Sequence, residues 1–104
     1  IKMKGGGHMI HYNLLKFKPG ADIHAAFEKC RSVYAELESE LDFLHDARVE
    51  RCVTVRDSNA DIMMSMRIDS PDQLSAYLAH PKHAALAQGM KHEIEARMSF
   101  DAQD

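Results

Sequence analysis

The 104-residue chain predicts an α+β domain, a four-stranded antiparallel sheet with helices on one face. Three observations carry that expectation. Short segments near both ends and in the middle alternate apolar and polar residues with the period of a strand. One long stretch between them repeats its apolar residues at steps of three and four. Pro, Gly, Asn and Asp cluster at the joints, where turns need them. Composition agrees: 45% hydrophobic and 28% charged residues are ordinary for one small globular domain. The net charge of −3 argues against nucleic acid, whose phosphates select a basic surface. No apolar run approaches the ~18 residues that span a bilayer, so no membrane association is expected. Cys30 and Cys52 have neither a disulfide-scaffold pattern nor zinc spacing, and a reducing, cytoplasmic setting is expected.

Residues 1–8, Ile-Lys-Met-Lys-Gly-Gly-Gly-His, read as a cloning remnant or flexible tail, leaving a single domain over 9–104. Met9 to Phe17 is the first strand. Both of its faces are largely apolar, so both should be covered. Lys18-Pro19-Gly20 ends it. Asp22 can cap the next helix, whose stripe runs Ile23, Ala26, Phe27, Cys30, Val33, Tyr34, Leu37 and Leu41. Cys30 lies within that stripe, and a buried, inert thiol is expected there.

The β-branched stretch from Ala47 to Val55 predicts the second strand. Arg56-Asp57-Ser58-Asn59 predicts a turn, and Asp61 to Asp69 a third strand forming a hairpin with the second. Ser70-Pro71-Asp72-Gln73 has the residues of a capped helix start, followed by Leu74, Tyr77 and Leu78 on one face. His80-Pro81 interrupts this helix. Pro81 opens another, with His83, Leu86, Met90 and Ile94 expected inward. Ala96 to Asp101 alternates as the last strand. The order β-α-β-β-α-α-β suits the ferredoxin-like plan. Its helices cover one sheet face only, and the apolar residues on the other call for a second copy, so a homodimer is expected.

Of the seven histidines, His24, His45 and His92 fall at polar or loop positions. His11, His80 and His83 remain, joined by Tyr77. Tyr77 is three residues from Leu74, and His83 three from Leu86, so both should point toward the sheet beside His11. A tyrosine and histidines in an apolar pocket can hold a base near neutral pH and a phenol that polarises a carbonyl. The alternative is purely structural: His80 caps the helix at Pro81, His83 bonds a backbone carbonyl, and Tyr77 is core with its hydroxyl satisfied. Metal binding by His80 and His83 is disfavoured, since Pro81 breaks the helix between them and no third ligand has suitable spacing. No metal and no cofactor are therefore expected.

Three segments resemble the stress-responsive α/β barrel (Dabb) family: His11 to Gly20, Ala60-Asp61-Ile62 through Ser70, and Tyr77-Leu78-Ala79-His80-Pro81-Lys82-His83. The resemblance implies a ferredoxin-like protomer whose sheet packs on its mate's to close a dimeric α/β barrel. It also implies a pocket between sheet and helices bounded by His11, Ile62, Tyr77 and His83. A plant member is a polyketide cyclase that performs an aldol ring closure, and its tyrosine–histidine pair matches Tyr77 and His83. This chain departs from it at Ile62, where the cyclase has a histidine. Two functions follow as expectations. One is a homodimer of unassigned role whose polar cluster serves structure or holds a small carbonyl-bearing ligand. The other is a cofactor-free lyase or isomerase, with His83 as base, Tyr77 as hydrogen-bond donor and His11 in support.

Overall fold

The computed structural model describes residues 8–104. Residues 1–7, and with them nearly all of the segment read as a remnant or tail, lie outside the described residues. The elements are β1 (Met9–Phe17), α1 (Ile23–Glu40), β2 (Leu44–Arg51), β3 (Ile62–Ile68), α2 (Leu74–Leu78), α3 (Pro81–Met90) and β4 (Ile94–Gln103). One 3₁₀ turn, Pro71–Gln73, leads into α2. The four strands form one sheet in the order β2-β3-β1-β4, with every neighbouring pair antiparallel. This is the expected α+β, ferredoxin-like arrangement.

Local chemistry accounts for the joints. Gly20 takes a φ of 87°, which a side chain would resist, and turns the chain from β1 toward α1. Asp22 caps α1, its carboxylate accepting from Ala25 N at 3.0 Å, and Ser70 accepts from Asp72 N at 3.3 Å at the 3₁₀ turn. Both caps satisfy amides that a helix start leaves orphaned.

The core lies between the helices and the inner face of the sheet. β1 contributes Met9, His11, Leu15 and Phe17, and β3 contributes Ile62, Met64, Met66 and Ile68. From α1 come Ala26, Cys30, Val33, Tyr34 and Leu37. Cys30 is fully buried, which pushes its thiol up to about 11.

Three boundaries differ from the sequence reading. β2 begins at Leu44 and ends at Arg51, not over Ala47 to Val55. Its partner β3 starts at Ile62, opposite Arg51, so residues beyond Cys52 have no strand to pair with, whatever their propensity. Val53 and Val55 are consequently exposed, at 94% and 103%. At the other end, Asp46 with φ 55° and a register shift between His45 and Arg48 form a bulge that period-two counting cannot anticipate. Leu78, the last residue of α2, is 43% exposed, so of that expected face Tyr77 alone is buried among the described residues. Ile94 opens β4 instead of extending α3, since the helix ends at Met90.

Ile68→Ala should therefore cost about 2–5 kcal/mol in urea unfolding, the range for emptying a buried aliphatic site. Val55→Thr should change stability by no more than about 0.5 kcal/mol. Equal losses for the two would contradict this strand boundary.

Candidate functional site

β1 places His11, Asn13 and Leu15 on the inner face, where α1 and α3 lie above the sheet. β4 runs beside it with Asp101 opposite His11, Ser99 opposite Asn13 and Arg97 opposite Leu15. Opposed residues share a face, so β4 turns Arg97, Ser99 and Asp101 toward the helix side. All three are nonetheless exposed: the helical layer stops short of this edge strand. The rings of the helical layer therefore border an exposed polar ledge on β4.

Three of the residues singled out from sequence meet there. The His11 and Tyr77 rings pack edge-on with centroids 5.7 Å apart, and Tyr77 and His83 lie 4.8 Å apart. Ile62 does not join them. It pairs with Leu15, four positions along β1 from His11, and is buried in the core at that end of the sheet.

Each ring is held by a specific bond. His11 Nδ1 donates to Asp101 Oδ1 at 2.5 Å. His83 Nδ1 donates to the Leu78 carbonyl at 2.9 Å. Tyr77 is fully buried, and its hydroxyl bonds that of Tyr34, itself 2% exposed, at 2.5 Å. His80 stands apart as the cap of α3: its Nδ1 accepts from Lys82 N at 3.1 Å, and its Nε2 lies 3.3 Å from Glu40 on α1. Lys82 pairs with Glu36 and Glu40, so the start of α3, and with it His83, is tied to α1. The bonds of a structural role are thus all made, but they leave groups over. His83 Nε2 is not used by its carbonyl contact. The two phenols carry two protons, and their mutual bond uses one.

Electrostatics sorts these leftovers by role. Burial, foremost, depresses the His83 pKa below its ordinary 6.5; the Leu78 carbonyl opposes this, and Arg97, His11 and His80 add to it. The imidazole is therefore neutral at pH 7, with its proton on Nδ1 and a lone pair on Nε2. Because folding opposes its protonation, His83 contributes stability above pH 6.5 that is lost as pH falls through the folded value. Burial raises both phenols, Tyr34 to about 12 and Tyr77 further. Neither ionises at neutral pH, so both act as donors.

A small, partly open pocket of about 20 Å³ adjoins the cluster, lined by Tyr34, His83, Asn13, Met64, Met90 and Arg97 among others. That is room for roughly one water. Tyr34, Asp101, Asn13 and Arg97 were not singled out from sequence. Tyr34 reads as one more member of the α1 stripe, and only the hairpin of elements reveals Tyr77 beside it. The β4 residues depend on knowing which strand borders β1. Among the described residues, no group of three or more His, Cys, Asp or Glu is placed to hold a metal ion, and no helix is long and apolar enough to cross a membrane.

Comparison with solved structures finds the same architecture at low sequence identity, which shows the fold alone. A dimeric, ferredoxin-like protein of unknown function from Bacteroides fragilis superposes with a TM-score of 0.82 at 17% identity, over 94% of this chain and 97% of its own. A dimeric ferredoxin-like protein of unknown function from Thermobifida fusca gives 0.80 at 17% identity, over 96% and 93%. The hydroxynitrile lyase of Passiflora edulis gives 0.75 at 9% identity, over 95% and 94%. No curated protein sequence matches. The family model for the stress responsive A/B barrel domain, in contrast, matches residues 9–104. A match spanning every strand and helix of the sheet-and-helix unit identifies the chain as a member of the stress-responsive A/B barrel domain family.

Proposed function

We propose that the protein is a homodimer that holds a small carbonyl compound against Tyr77, His83 and His11. The observation that carries this is His83 itself: an imidazole fixed by the Leu78 carbonyl, kept neutral, and set against a buried phenol pair. A carbonyl oxygen accepts from the phenol proton left over by the Tyr34–Tyr77 bond, and His83 Nε2 faces the adjoining carbon. His11, oriented by Asp101, closes the cluster from the sheet.

The same observation favours a second, catalytic reading, a cofactor-free lyase or isomerase. His83 Nε2 removes a proton α to the carbonyl, the electron pair moves onto the oxygen, and the phenol stabilises the enolate. The Passiflora edulis neighbour, described as a hydroxynitrile lyase, shows that the same fold is compatible with lyase chemistry, though of another step.

Dimerisation rests on the sheet face turned away from the helices. Ile10, Tyr12 and Leu14 of β1 alternate with the inward residues, and Met98 and Phe100 lie beside them at 72% and 63% exposure. Tyr12 and Phe100 already pack at 6.4 Å. A contiguous apolar face of this kind is what a second copy would cover, and the Bacteroides fragilis and Thermobifida fusca neighbours are described as dimeric.

Sedimentation velocity should therefore give twice the chain mass, and the Met98→Lys, Phe100→Asp double variant should shift toward the single chain. Loss of two central apolar anchors weakens an interface by about 2 kcal/mol or more. An unchanged dimer would place the interface elsewhere.

The catalytic reading has its own test in deuterium uptake α to the carbonyl of butan-2-one, followed by NMR. Exchange should exceed the buffer rate and fall about 100-fold or more in His83→Ala, the scale of a lost general base. Because the active form is the neutral imidazole, the rate should rise with pH through a midpoint below 6.5 and then level. Exchange equal in wild type and His83→Ala would remove His83 as the base and leave only the binding reading.

A further inference from the structure

Among the described residues, Arg97 is the one cation that lines the cavity beside His83. Its place is set by the register of β4, opposite Leu15 on the helix side of the sheet. Among the described residues it forms no ion pair, whereas the neighbouring acid on the ledge, Asp101, is occupied by His11. Asn13, also lining the cavity, adds an uncharged amide next to it. The pocket holds about one water, so most of any larger ligand must lie outside it, along the ledge where Arg97 stands. A guanidinium with free donors at such a mouth matches a carboxylate in shape and charge.

We propose that Arg97 binds an anionic group of the ligand, so that the site takes carbonyl compounds that also bear a carboxylate, 3-oxo acids being the simplest. This rests on the carbonyl-binding reading of the cluster and narrows it. The acid end would lie on Arg97 and Asn13, and the ketone would reach the phenols and His83. The anion would also offset the positive charge that Arg97 sets beside His83, making the imidazole a stronger base only when the matching ligand is bound.

The test is an NMR titration of the His83 and Tyr77 ring signals with two probes, acetoacetate and methyl acetoacetate, which share the ketone and differ in charge. Wild type should bind acetoacetate about tenfold more tightly, the scale of one charge-assisted pair at a partly exposed site. Arg97→Gln should bring the two affinities together, Arg97→Lys should keep part of the difference, and bound acetoacetate should raise the His83 titration midpoint in wild type alone. Equal binding of both probes by wild type, or a preference that survives in Arg97→Gln, overturns the role of Arg97 and leaves the carbonyl site standing. Failure of both probes to move either ring overturns the site and this inference together.

Discussion

Two buried hydroxyls that satisfy one another set the geometry of the helical layer. Tyr34 on α1 and Tyr77 on α2 are 2% and 0% exposed, and a buried hydroxyl without a partner costs about 1–3 kcal/mol. Their bond to one another removes that penalty and fixes α2 against α1. The Leu78 carbonyl, next in the chain to Tyr77, then takes the Nδ1 proton of His83, and Glu36 and Glu40 of α1 hold the start of α3 through Lys82. The orientation of His83 is thus a consequence of how two phenols are satisfied. Replacing either tyrosine by phenylalanine would remove one hydroxyl, strand the other, and loosen the ring that the base rests upon.

Uneven cover of the sheet explains why a polar ledge exists at all. Helices lie over the inner faces of β1 and β3, whose inward positions are apolar but for His11 and Asn13. β4 lies beyond their reach. Its inner face can therefore keep Arg97, Ser99 and Asp101, which a closed core would exclude. His11 sits at the seam: its ring is buried among core residues, yet its partner Asp101 is on the exposed strand. A histidine in that position reaches both a dry wall of aromatic rings and a solvated carboxylate.

Much of this was legible in the sequence, and the exceptions have specific causes. The α1 stripe, the cap at Asp22, the break at His80-Pro81 and the inward phase of Tyr77 and His83 are local, and periodicity exposes them. The end of β2 is not local. Val53 and Val55 have the propensity of a strand, but pairing depends on where β3 begins, at Ile62, and that is decided by Asp61, whose amide bonds Leu15 and whose carboxylate takes Phe17 N. Tyr34 was visible only as an apolar position, since nothing in a helix stripe distinguishes a packed phenyl ring from one whose hydroxyl has a distant partner. Arg97 and Asp101 belong to a ten-residue strand that alternates clearly, but their neighbours are on β1, at the opposite end of the chain. Their place beside the cluster follows from sheet order, which alternation does not contain.

The alternation of β1 joins the two halves of the functional reading. His11, Asn13 and Leu15 face the helices, while Ile10, Tyr12 and Leu14 face away, and one backbone carries both sets with hydrogen-bonded neighbours on either side. A slip of one residue would exchange them, sending His11 to the outer face and Tyr12 beneath the helices. Register is therefore under two constraints at once, and each protects the other. Burial of the outer face by a second copy would hold β1 and β4 flat against one another, which keeps Asp101 opposite His11. In the converse direction, the ring cluster and core pin the inner face, which presents Tyr12 and Phe100 as a pair to whatever covers them. Assembly and site chemistry in this fold are two readings of a single strand, so a change that loosens the outer face should be felt at His11 before it is felt at His83, whose support comes from the helices alone.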